Sequence, residues 1–263
     1  MKKDINRLII NETENKPILN YIETNIVMHC NLNCRGCNHF APLYSENEDM
    51  IDFDRWTKAV DRIAEMFEIK KFGILGGEPL LHPRWLDFLR YLRNKLPNAL
   101  LTFRTNGILS NLLVANKKEL EDLKVELVIS DYNLSLNIDK SLFNRTFDRI
   151  KTKFEHPSID SEGNQSKTDS WLQCRNKHCL ALTEDYIYCC NYGLSFNKLN
   201  EYFDLKIDIN DDVKINIFNS SANDIIKWTR HAKDCCKYCN LNNRKYDQEW
   251  GLSKKEKSEW IIN

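Results

Sequence analysis

Residues 21–37 read YIETNIVMHCNLNCRGC, a strand-like run that passes directly into a group of three cysteines. The first part, Tyr21 to Met28, predicts a β-strand. The cysteines follow it as C-x3-C-x2-C at Cys30, Cys34 and Cys37. Three thiolates on one short loop can hold three irons of a 4Fe-4S cube and leave the fourth iron open to a substrate or cosubstrate. The stretch therefore predicts an iron–sulfur site at the end of a strand.

A structural zinc site is the alternative for these cysteines. Zinc sites usually use paired C-x2-C units and need a fourth ligand. His29 or His39 could supply that ligand. The spacing alone leaves this alternative open.

The segments that follow alternate between helix and strand. Apolar residues that recur every three or four positions predict helices over 53–67, 85–96, 117–122 and 139–150. Short apolar runs bounded by turn residues predict strands over 71–75, 100–104, 124–130 and 151–156. This alternation predicts a parallel sheet, whose ligands bind at the C-terminal strand ends. The first cysteines, the GGEP segment at 76–79 and the TNG turn at 105–107 all lie at such ends.

In this order and position the motifs resemble the radical S-adenosylmethionine (radical SAM) family over roughly residues 20 to 156. The family places C-x3-C-x-aromatic-C after the first barrel strand and a GGEP-like segment after the second. The resemblance implies an α/β fold, a partial (β/α)6-type TIM barrel. It also implies that Cys30, Cys34 and Cys37 ligate a 4Fe-4S cluster whose open iron takes SAM.

The same resemblance implies the SAM-binding residues. Gly76 and Gly77 allow close backbone approach, Glu78 of the Gly-Gly-Glu-Pro79 segment bonds the SAM ammonium, and Thr105, Asn106 and Ser130 fall where the family contacts ribose and carboxylate. The chain departs from the family at Gly36, where an aromatic residue usually leans on adenine. Phe40 is the expected replacement for that contact.

Seven further cysteines lie close together in the sequence: Cys174, Cys179, Cys189, Cys190, Cys235, Cys236 and Cys239. Their spacing resembles the shortened SPASM or "twitch" extension of radical SAM enzymes, which holds an auxiliary cluster. The resemblance implies a second 4Fe-4S cluster ligated by Cys174, Cys190, Cys236 and Cys239. Cys189 competes with Cys190 for one position, and a zinc ribbon built from the same four residues is the alternative.

These patterns divide the chain into four parts. Residues 1–156 are expected to form the barrel core, 157–170 a polar linker, 171–240 the auxiliary-cluster domain and 241–263 a charged tail. Within the third part, the pattern predicts a hairpin around Tyr186 to Phe196 and a helix near Ala222 to His231.

Composition excludes several classes of protein. The 263 residues carry 38 Lys and Arg against 38 Asp and Glu, so the excess of basic charge that binds nucleic acid or a membrane surface is missing. No apolar stretch approaches the ~20 residues that span a bilayer, and the apolar run near the start is too short for a secretory signal. We therefore expect a cytoplasmic protein with no nucleic-acid or membrane partner.

By resemblance, the chemistry is reductive cleavage of SAM to methionine and a 5′-deoxyadenosyl radical, which abstracts hydrogen from an unactivated C–H bond. The expected partners are an external electron donor such as flavodoxin or ferredoxin and a small substrate. The later cysteine spacing looks like that of radical SAM proteins associated with cell-surface polysaccharide genes, which favours a carbohydrate-type substrate and either dehydrogenation or epimerisation.

Three roles remain open for Cys179: hydrogen-atom donor of an epimerase, inert buried thiol, or cluster ligand in place of Cys174. Two other functions are also open. A peptide maturase is expected to carry an N-terminal winged-helix domain, for which the roughly 20 residues before Tyr21 are too few. A non-catalytic zinc-binding scaffold is the alternative from outside the enzymes.

Overall fold

A computed structural model of the chain describes residues 16–46, 49–132, 145–146, 153–154, 159–177, 179–243 and 248–262. The strands are β1 Ile18–Leu19, β2 Ile22–Val27, β3 Glu68–Ile69, β4 Lys71–Gly76, β5 Leu100–Thr105, β6 Val125–Ile129, β7 Arg145–Thr146, β8 Lys153–Phe154, β9 Ala181–Leu182, β10 Tyr186–Tyr188, β11 Lys214–Asn216 and β12 Gln248–Glu249. The α-helices are α1 Phe53–Met66, α2 Trp85–Lys95, α3 Ser110–Ala115, α4 Lys117–Asp122, α5 Lys167–Gln173, α6 Asn191–Phe203 and α7 Ala222–Thr229.

The central sheet has the strand order β11-β10-β9-β2-β4-β5-β6-β7. Strands β2, β4, β5, β6 and β7 are parallel, and β9 joins β2 in parallel at its other edge. Strands β10 and β11 continue the sheet in antiparallel pairing. The predicted α/β partial barrel is confirmed. Strands from the C-terminal half of the chain extend the sheet of the N-terminal half.

Helices α1 and α2 cover one face of the sheet because their apolar positions lie on one side of each helix. Asp52 begins α1 by accepting a hydrogen bond from the backbone N–H of Arg55, at 2.8 Å. Trp56 is fully buried, and its indole N–H donates to Oγ1 of Thr24 in β2, at 3.0 Å. This contact identifies the face of β2 that carries Thr24 as the outer, helix-covered face.

A second core lies apart from the helix-covered one and joins distant parts of the chain. Phe40 and Leu43, which follow the first cysteine loop, pack with Phe196 and Leu199 of α6 and with Trp260 near the C-terminus. The C-terminal segment thereby contacts the loop that carries Cys30, Cys34 and Cys37.

The described part of the predicted linker is packed against the C-terminal region. Ile159 forms bridges to Cys239 and Ile261, the backbone N–H of Asp160 donates to the carbonyl of Tyr238 at 2.9 Å, and α5 begins at Lys167. Its polar composition reflects tight turns, in which the Asp160 carboxylate accepts backbone N–H groups.

One local prediction is wrong in its second half. The hairpin expected around 186–196 exists as β9 and β10, which pair antiparallel, but α6 begins at Asn191 and contains Phe196. The helix ends the hairpin because Cys190 caps it, its Sγ accepting the backbone N–H of Gly193 at 3.4 Å. The helix predicted near 222–231 is present as α7.

The helix predicted over 139–150 and the strand predicted over 151–156 lie mostly outside the described residues. Arg145–Thr146, inside the predicted helix, is instead a strand paired with β6. Lys153–Phe154 is a strand, but it pairs with Gln248–Glu249 near the C-terminus. Among the helices of the described ranges, none combines the length and apolar character needed to cross a bilayer.

Candidate active site

The first cysteine loop leaves the C-terminal end of β2, and N–H groups point at its sulfur atoms. Sγ of Cys30 accepts from the backbone N–H of Leu32 at 3.4 Å and from Nδ2 of Asn106 at 3.5 Å. Sγ of Cys34 accepts from the indole N–H of Trp250 at 3.3 Å. Such donors stabilise negative charge on sulfur and tune iron–sulfur clusters. The donor set therefore fits thiolates that hold a cluster.

The three thiols lie close enough to influence one another. Burial raises the pKa of Cys30 well above its usual value, and Cys37 and Cys34 raise it further. The pKa of Tyr132 is raised by burial and then by Cys34, Cys37 and Cys30. A bound metal deprotonates its thiol ligands. The positive charge of the metal would offset the repulsion between the three neighbouring thiolates.

The two glycines of GGEP are required by close backbone packing against the segment that carries Cys30. A Cβ on Gly76 would lie 2.1 Å from the carbonyl oxygen of Val27, and one on Gly77 would lie 2.0 Å from that of His29. The backbone N–H groups of Gly77 and Glu78 donate to these same carbonyls, at 2.8 and 3.0 Å. Only glycine allows this approach, which fixes GGEP beside the cysteine loop.

Glu78 joins the GGEP segment to the TNG turn. Its side chain has no exposed surface. Oε1 accepts from Oγ1 of Thr105 at 2.8 Å and from the backbone N–H of Leu80 at 3.2 Å, and Oε2 accepts from the backbone N–H of Asn106 at 2.8 Å. Burial raises the pKa of Glu78 to about 7, against the lowering effect of these bonds. Two motifs from separate strand ends thus form one unit.

The remaining residues predicted to contact SAM have different surroundings. The backbone N–H of Ser130 donates to the carbonyl of Thr105 at 2.8 Å, which places Ser130 beside the TNG turn. Pro79 is buried. Phe40 has no exposed surface, and its ring stacks on Tyr192 with a centroid separation of 5.7 Å. Phe40 thus packs in the second core, and its contact with adenine stays a prediction.

A second site is a cavity lined by six cysteines: Cys174, Cys189, Cys190, Cys235, Cys236 and Cys239. Lys177, His231 and Lys233 also line it. Burial is the main cause that raises the pKa of Cys239 well above its usual value, and Cys190, Cys174 and Cys236 then raise it further. The four cysteines expected to ligate the auxiliary cluster therefore lie together, with basic side chains around them that offset negative charge.

Cys189 and Cys190 occupy different positions in this cavity. Cys190 begins α6, and hydrogen bonds from Cys189, Cys235 and the helix backbone keep its pKa well below the usual value. Sγ of Cys189 lies 3.8 Å from Sγ of Cys235 and 3.9 Å from that of Cys190. The pKa of Cys174 is raised by burial to about 12, with Cys190 and Cys236 contributing.

Cys179 is the one cysteine of the C-terminal group that does not line the cavity. It is buried, and its Sγ lies 3.7 Å from Oδ1 of Asn176. It directly precedes Leu180, whose carbonyl accepts the backbone N–H of Glu23 at 3.0 Å, which places it near the start of β2. The five-residue step from Cys174 therefore carries Cys179 out of the cysteine cavity.

The spacing of these side chains bears on the zinc alternatives. Within the described residues, no three His, Cys, Asp or Glu side chains stand close enough to hold a single metal ion. A tetrahedral zinc with Zn–S bonds of about 2.3 Å brings its sulfurs to about 3.8 Å from one another. A cluster of several irons spreads its thiolates further apart. Sγ of Cys189 lies 3.8 Å from that of Cys235 and 3.9 Å from that of Cys190, so zinc stays the alternative to an iron–sulfur cluster in the second site.

The structure adds residues that the sequence analysis did not single out. Glu23 and Asn25 of β2 are buried, and both hydrogen-bond to Asn191 at the start of α6. The sequence signal for them is a run of three polar residues, Glu23, Thr24 and Asn25, between apolar residues of a predicted strand. The Trp250 contact with Cys34 joins residues too far apart in sequence for any local pattern to indicate it.

Comparison with known proteins agrees with this geometry. Residues 24–153 match the radical SAM superfamily. A tungsten-containing aldehyde ferredoxin oxidoreductase cofactor-modifying protein of Pyrococcus furiosus is 33% identical over 111 residues, and a GTP 3′,8-cyclase of Helicobacter pylori is 32% identical over 125 residues. The matches cover 42% and 47% of this chain but only 30% and 36% of those relatives.

The whole fold is similar to a solved structure. BtrN, in a complex with AdoMet and 2-DOIA, superimposes with a TM-score of 0.55 and 16% identity, covering 89% of this chain and 98% of BtrN. An open conformation of BtrN gives a TM-score of 0.51. The parallel sheet and the cysteine loop at its C-terminal edge agree with the family match. The chain belongs to the radical SAM superfamily.

Proposed function

We propose that this radical SAM enzyme removes hydrogen from a C–H bond of a small, carbohydrate-type substrate, leading to epimerisation or dehydrogenation. With a 4Fe-4S cluster and SAM bound, a site of this class supplies one-electron cleavage of SAM and hydrogen abstraction. The chain would receive the electron from an external donor such as a flavodoxin or ferredoxin.

The observation that carries the proposal is the joining of three motifs at one edge of the sheet. Glu78 is hydrogen-bonded to Thr105 and Asn106, and Asn106 in turn reaches Sγ of Cys30. Cys30, Cys34 and Cys37 would hold the first cluster. The GGEP and TNG segments would bind and orient SAM beside it. Because the three are held by mutual hydrogen bonds, their relative positions are fixed before any ligand binds.

A second cluster in the C-terminal cavity is part of the proposal. Cys174, Cys190, Cys236 and Cys239 would hold it. Nearby, Lys233 is buried and donates to the carbonyl of Trp228. Its positive charge would help to keep an electron on this site, as a dehydrogenase requires. Cys179 is the residue we assign to returning a hydrogen atom if the reaction is an epimerisation.

A small, hydroxylated substrate is favoured by two observations. The solved neighbour BtrN holds AdoMet together with 2-DOIA, and the sheet face opposite α1 carries buried Glu23 and Asn25. Polar side chains on an interior sheet face suit a polar ligand.

Metal analysis tests the proposal. Anaerobic reconstitution should give about eight irons and matching sulfide per chain, four for each cluster. Replacing Cys30, Cys34 and Cys37 by Ala should leave about four, and so should replacing the four cysteines of the second site. A protein that holds zinc and no sulfide would contradict the proposal.

A further inference from the structure

The face of β2 turned away from α1 carries a buried polar group. Side chains alternate along a strand, so Glu23 and Asn25 lie on the opposite face from Thr24, which bonds to Trp56. Each is 3% exposed. Burying a carboxylate and an amide costs free energy unless their hydrogen bonds are satisfied, so an interior sheet position holds such residues for a reason other than packing.

Hydrogen bonds fix the orientation of these groups. The hydroxyl of Tyr21 donates to Oε2 of Glu23, and Nδ2 of Asn191 donates to Oε1 at 2.9 Å. Because a carboxylate only accepts, Asn191 must turn its amide nitrogen towards Glu23. Oδ1 of Asn191 then accepts from Nδ2 of Asn25, at 2.8 Å.

These bonds form a relay from Tyr21 through Glu23 and Asn191 to Asn25. The relay leaves Oδ1 of Asn25 directed away from Asn191. Within the described residues, Oδ1 of Asn25 is buried and has no hydrogen-bond partner. An unpaired buried acceptor costs roughly 1–3 kcal/mol. The cost is recovered when a ligand supplies an N–H or O–H group. Oδ1 of Asn25 is therefore positioned to accept a hydrogen bond from a ligand.

The position of the relay connects the two halves of the proposed site. Asn191 follows Cys190 directly and lines the cysteine cavity. Asn25 is paired with Leu75, next to the two glycines of GGEP. Cys179 directly precedes Leu180, whose carbonyl accepts the backbone N–H of Glu23 at 3.0 Å. A ligand on Asn25 would thus lie between the GGEP edge and the auxiliary cavity.

We propose that Asn25 and Glu23, positioned by Asn191, form the substrate-recognition face of the enzyme and bind the hydroxyl or amino groups of a small ring compound. This inference rests on the proposed function and adds the chemistry by which the substrate is selected. A site built from buried acceptors rejects analogues that lack the matching donors, because an acceptor is then left unpaired. Masking the ring donors by O-methylation should therefore abolish binding.

The test is calorimetric titration of the anaerobically reconstituted protein with three probes: glucose, glucosamine and fully O-methylated glucose. Glucose or glucosamine should bind and the methylated sugar should not. Asn25→Leu should weaken sugar binding by about ten- to a hundredfold, the usual effect of one lost hydrogen bond to a buried group. Thr24→Val is the matched control, since it alters a buried polar residue of the same strand on the outer face, and it should leave sugar affinity unchanged.

Glu23→Gln separates the two kinds of donor. If the wild type prefers glucosamine to glucose and Glu23→Gln does not, the amino group of the sugar contacts Glu23. If the wild type binds both sugars equally, the site recognises hydroxyl groups. If Asn25→Leu does not fold, Asn191→Ala at the half-buried start of α6 removes the positioning bond and should weaken sugar binding in the same direction.

Three results would overturn the inference: binding of neither sugar, binding of the methylated sugar as tightly as glucose, or equal affinity in Asn25→Leu and Thr24→Val. Iron content and SAM cleavage are measured on the same samples without sugar. If these are normal in the wild type while sugar binding fails, the recognition face is wrong and the proposed function stands. If they are absent, the proposed function itself fails.

Discussion

The indole N–H of Trp250 lies 3.3 Å from Sγ of Cys34, although 216 residues separate the two in the sequence. The same segment holds the cysteine loop through its backbone. The N–H of Arg35 donates to the carbonyl of Gly251, and that of Ser253 to the carbonyl of Asn33, both at 2.8 Å. The C-terminal tail is therefore part of the first cysteine site.

Replacing Trp250 by Phe should shift the reduction potential of the cluster proposed at Cys30, Cys34 and Cys37 to a more negative value. Hydrogen bonds to cluster sulfurs stabilise the reduced, more negatively charged form, and the variant removes one of them. A redox titration followed by electron paramagnetic resonance of the reduced cluster measures the shift, with iron content as a check on occupancy.

Trp260→Phe is the control for this change. Its indole N–H donates to the backbone carbonyl of Cys37 at 2.9 Å and not to a sulfur. Its removal should move the potential less than that of Trp250. Equal potentials in the wild type and in Trp250→Phe, at full iron occupancy, would show that the Trp250 contact does not tune the cluster.

Glu78→Ala should both weaken SAM binding and destabilise the fold. The substitution leaves the hydroxyl of Thr105 and the backbone N–H of Asn106 without their buried acceptor. The expected loss is about 3 kcal/mol of unfolding free energy. Equilibrium dialysis with SAM and urea denaturation measure the two effects, with exposed Glu121→Ala as the control. Unchanged SAM affinity in Glu78→Ala would remove this residue from the cofactor site.

The buried Glu78 also predicts a pH dependence of stability. Its pKa is raised from 4.5 to about 7 in the folded chain, so the folded state binds the proton more tightly than the unfolded state does. The resulting stabilisation is complete below about pH 4.5 and is lost as the pH rises through about 7. It amounts to about 3 kcal/mol at 1.4 kcal/mol per pH unit.

Urea denaturation of the wild type and of Glu78→Gln across this range measures the effect. The difference in unfolding free energy, wild type minus variant, should fall as the pH rises from 4.5 to 7, since Gln does not titrate. A constant difference would mean that Glu78 has the same pKa in the folded and unfolded states.

Cys179→Ala should keep the full iron content of the wild type. Cys179 lies outside the cysteine cavity and next to Leu180, which bonds to Glu23 of β2, so its loss should not release a cluster. If the enzyme is an epimerase, the variant should still cleave SAM but form no epimerised product. Loss of about four irons would instead identify Cys179 as a ligand, and a two-electron oxidised product from the wild type would exclude the donor role.

The sequence predicts well those elements that local physics determines. Helix α1 was expected over 53–67 and is Phe53–Met66, because its apolar residues repeat with the helical period and Asp52 caps it. The meeting of GGEP and TNG at one edge followed from parallel strands. The bonds of Glu78 to Thr105 and Asn106 could be identified only from the three-dimensional structure, because neither motif indicates which residue it bonds to.

Other features depend on packing between distant segments. The sequence predicts a hairpin that continues into the start of α6, because Tyr186, Ile187 and Tyr188 favour a strand. Instead α6 begins here, because Sγ of Cys190 accepts the backbone N–H of Gly193 and caps the helix. Glycine at 193 also allows Val213 to pack closely, since a Cβ there would lie 2.4 Å from its side chain. The Asn25–Asn191 and Trp250–Cys34 contacts likewise join segments that share no local pattern.

Formation of 5′-deoxyadenosine and methionine from SAM tests the central claim most directly. Anaerobically reconstituted wild-type protein, reduced with dithionite, should form both products slowly even without its substrate. The variant in which Cys30, Cys34 and Cys37 are replaced by Ala should form neither while keeping the second cluster. A fully loaded, reduced wild-type protein that leaves SAM intact, or a triple variant that cleaves SAM as fast as the wild type, would contradict the account.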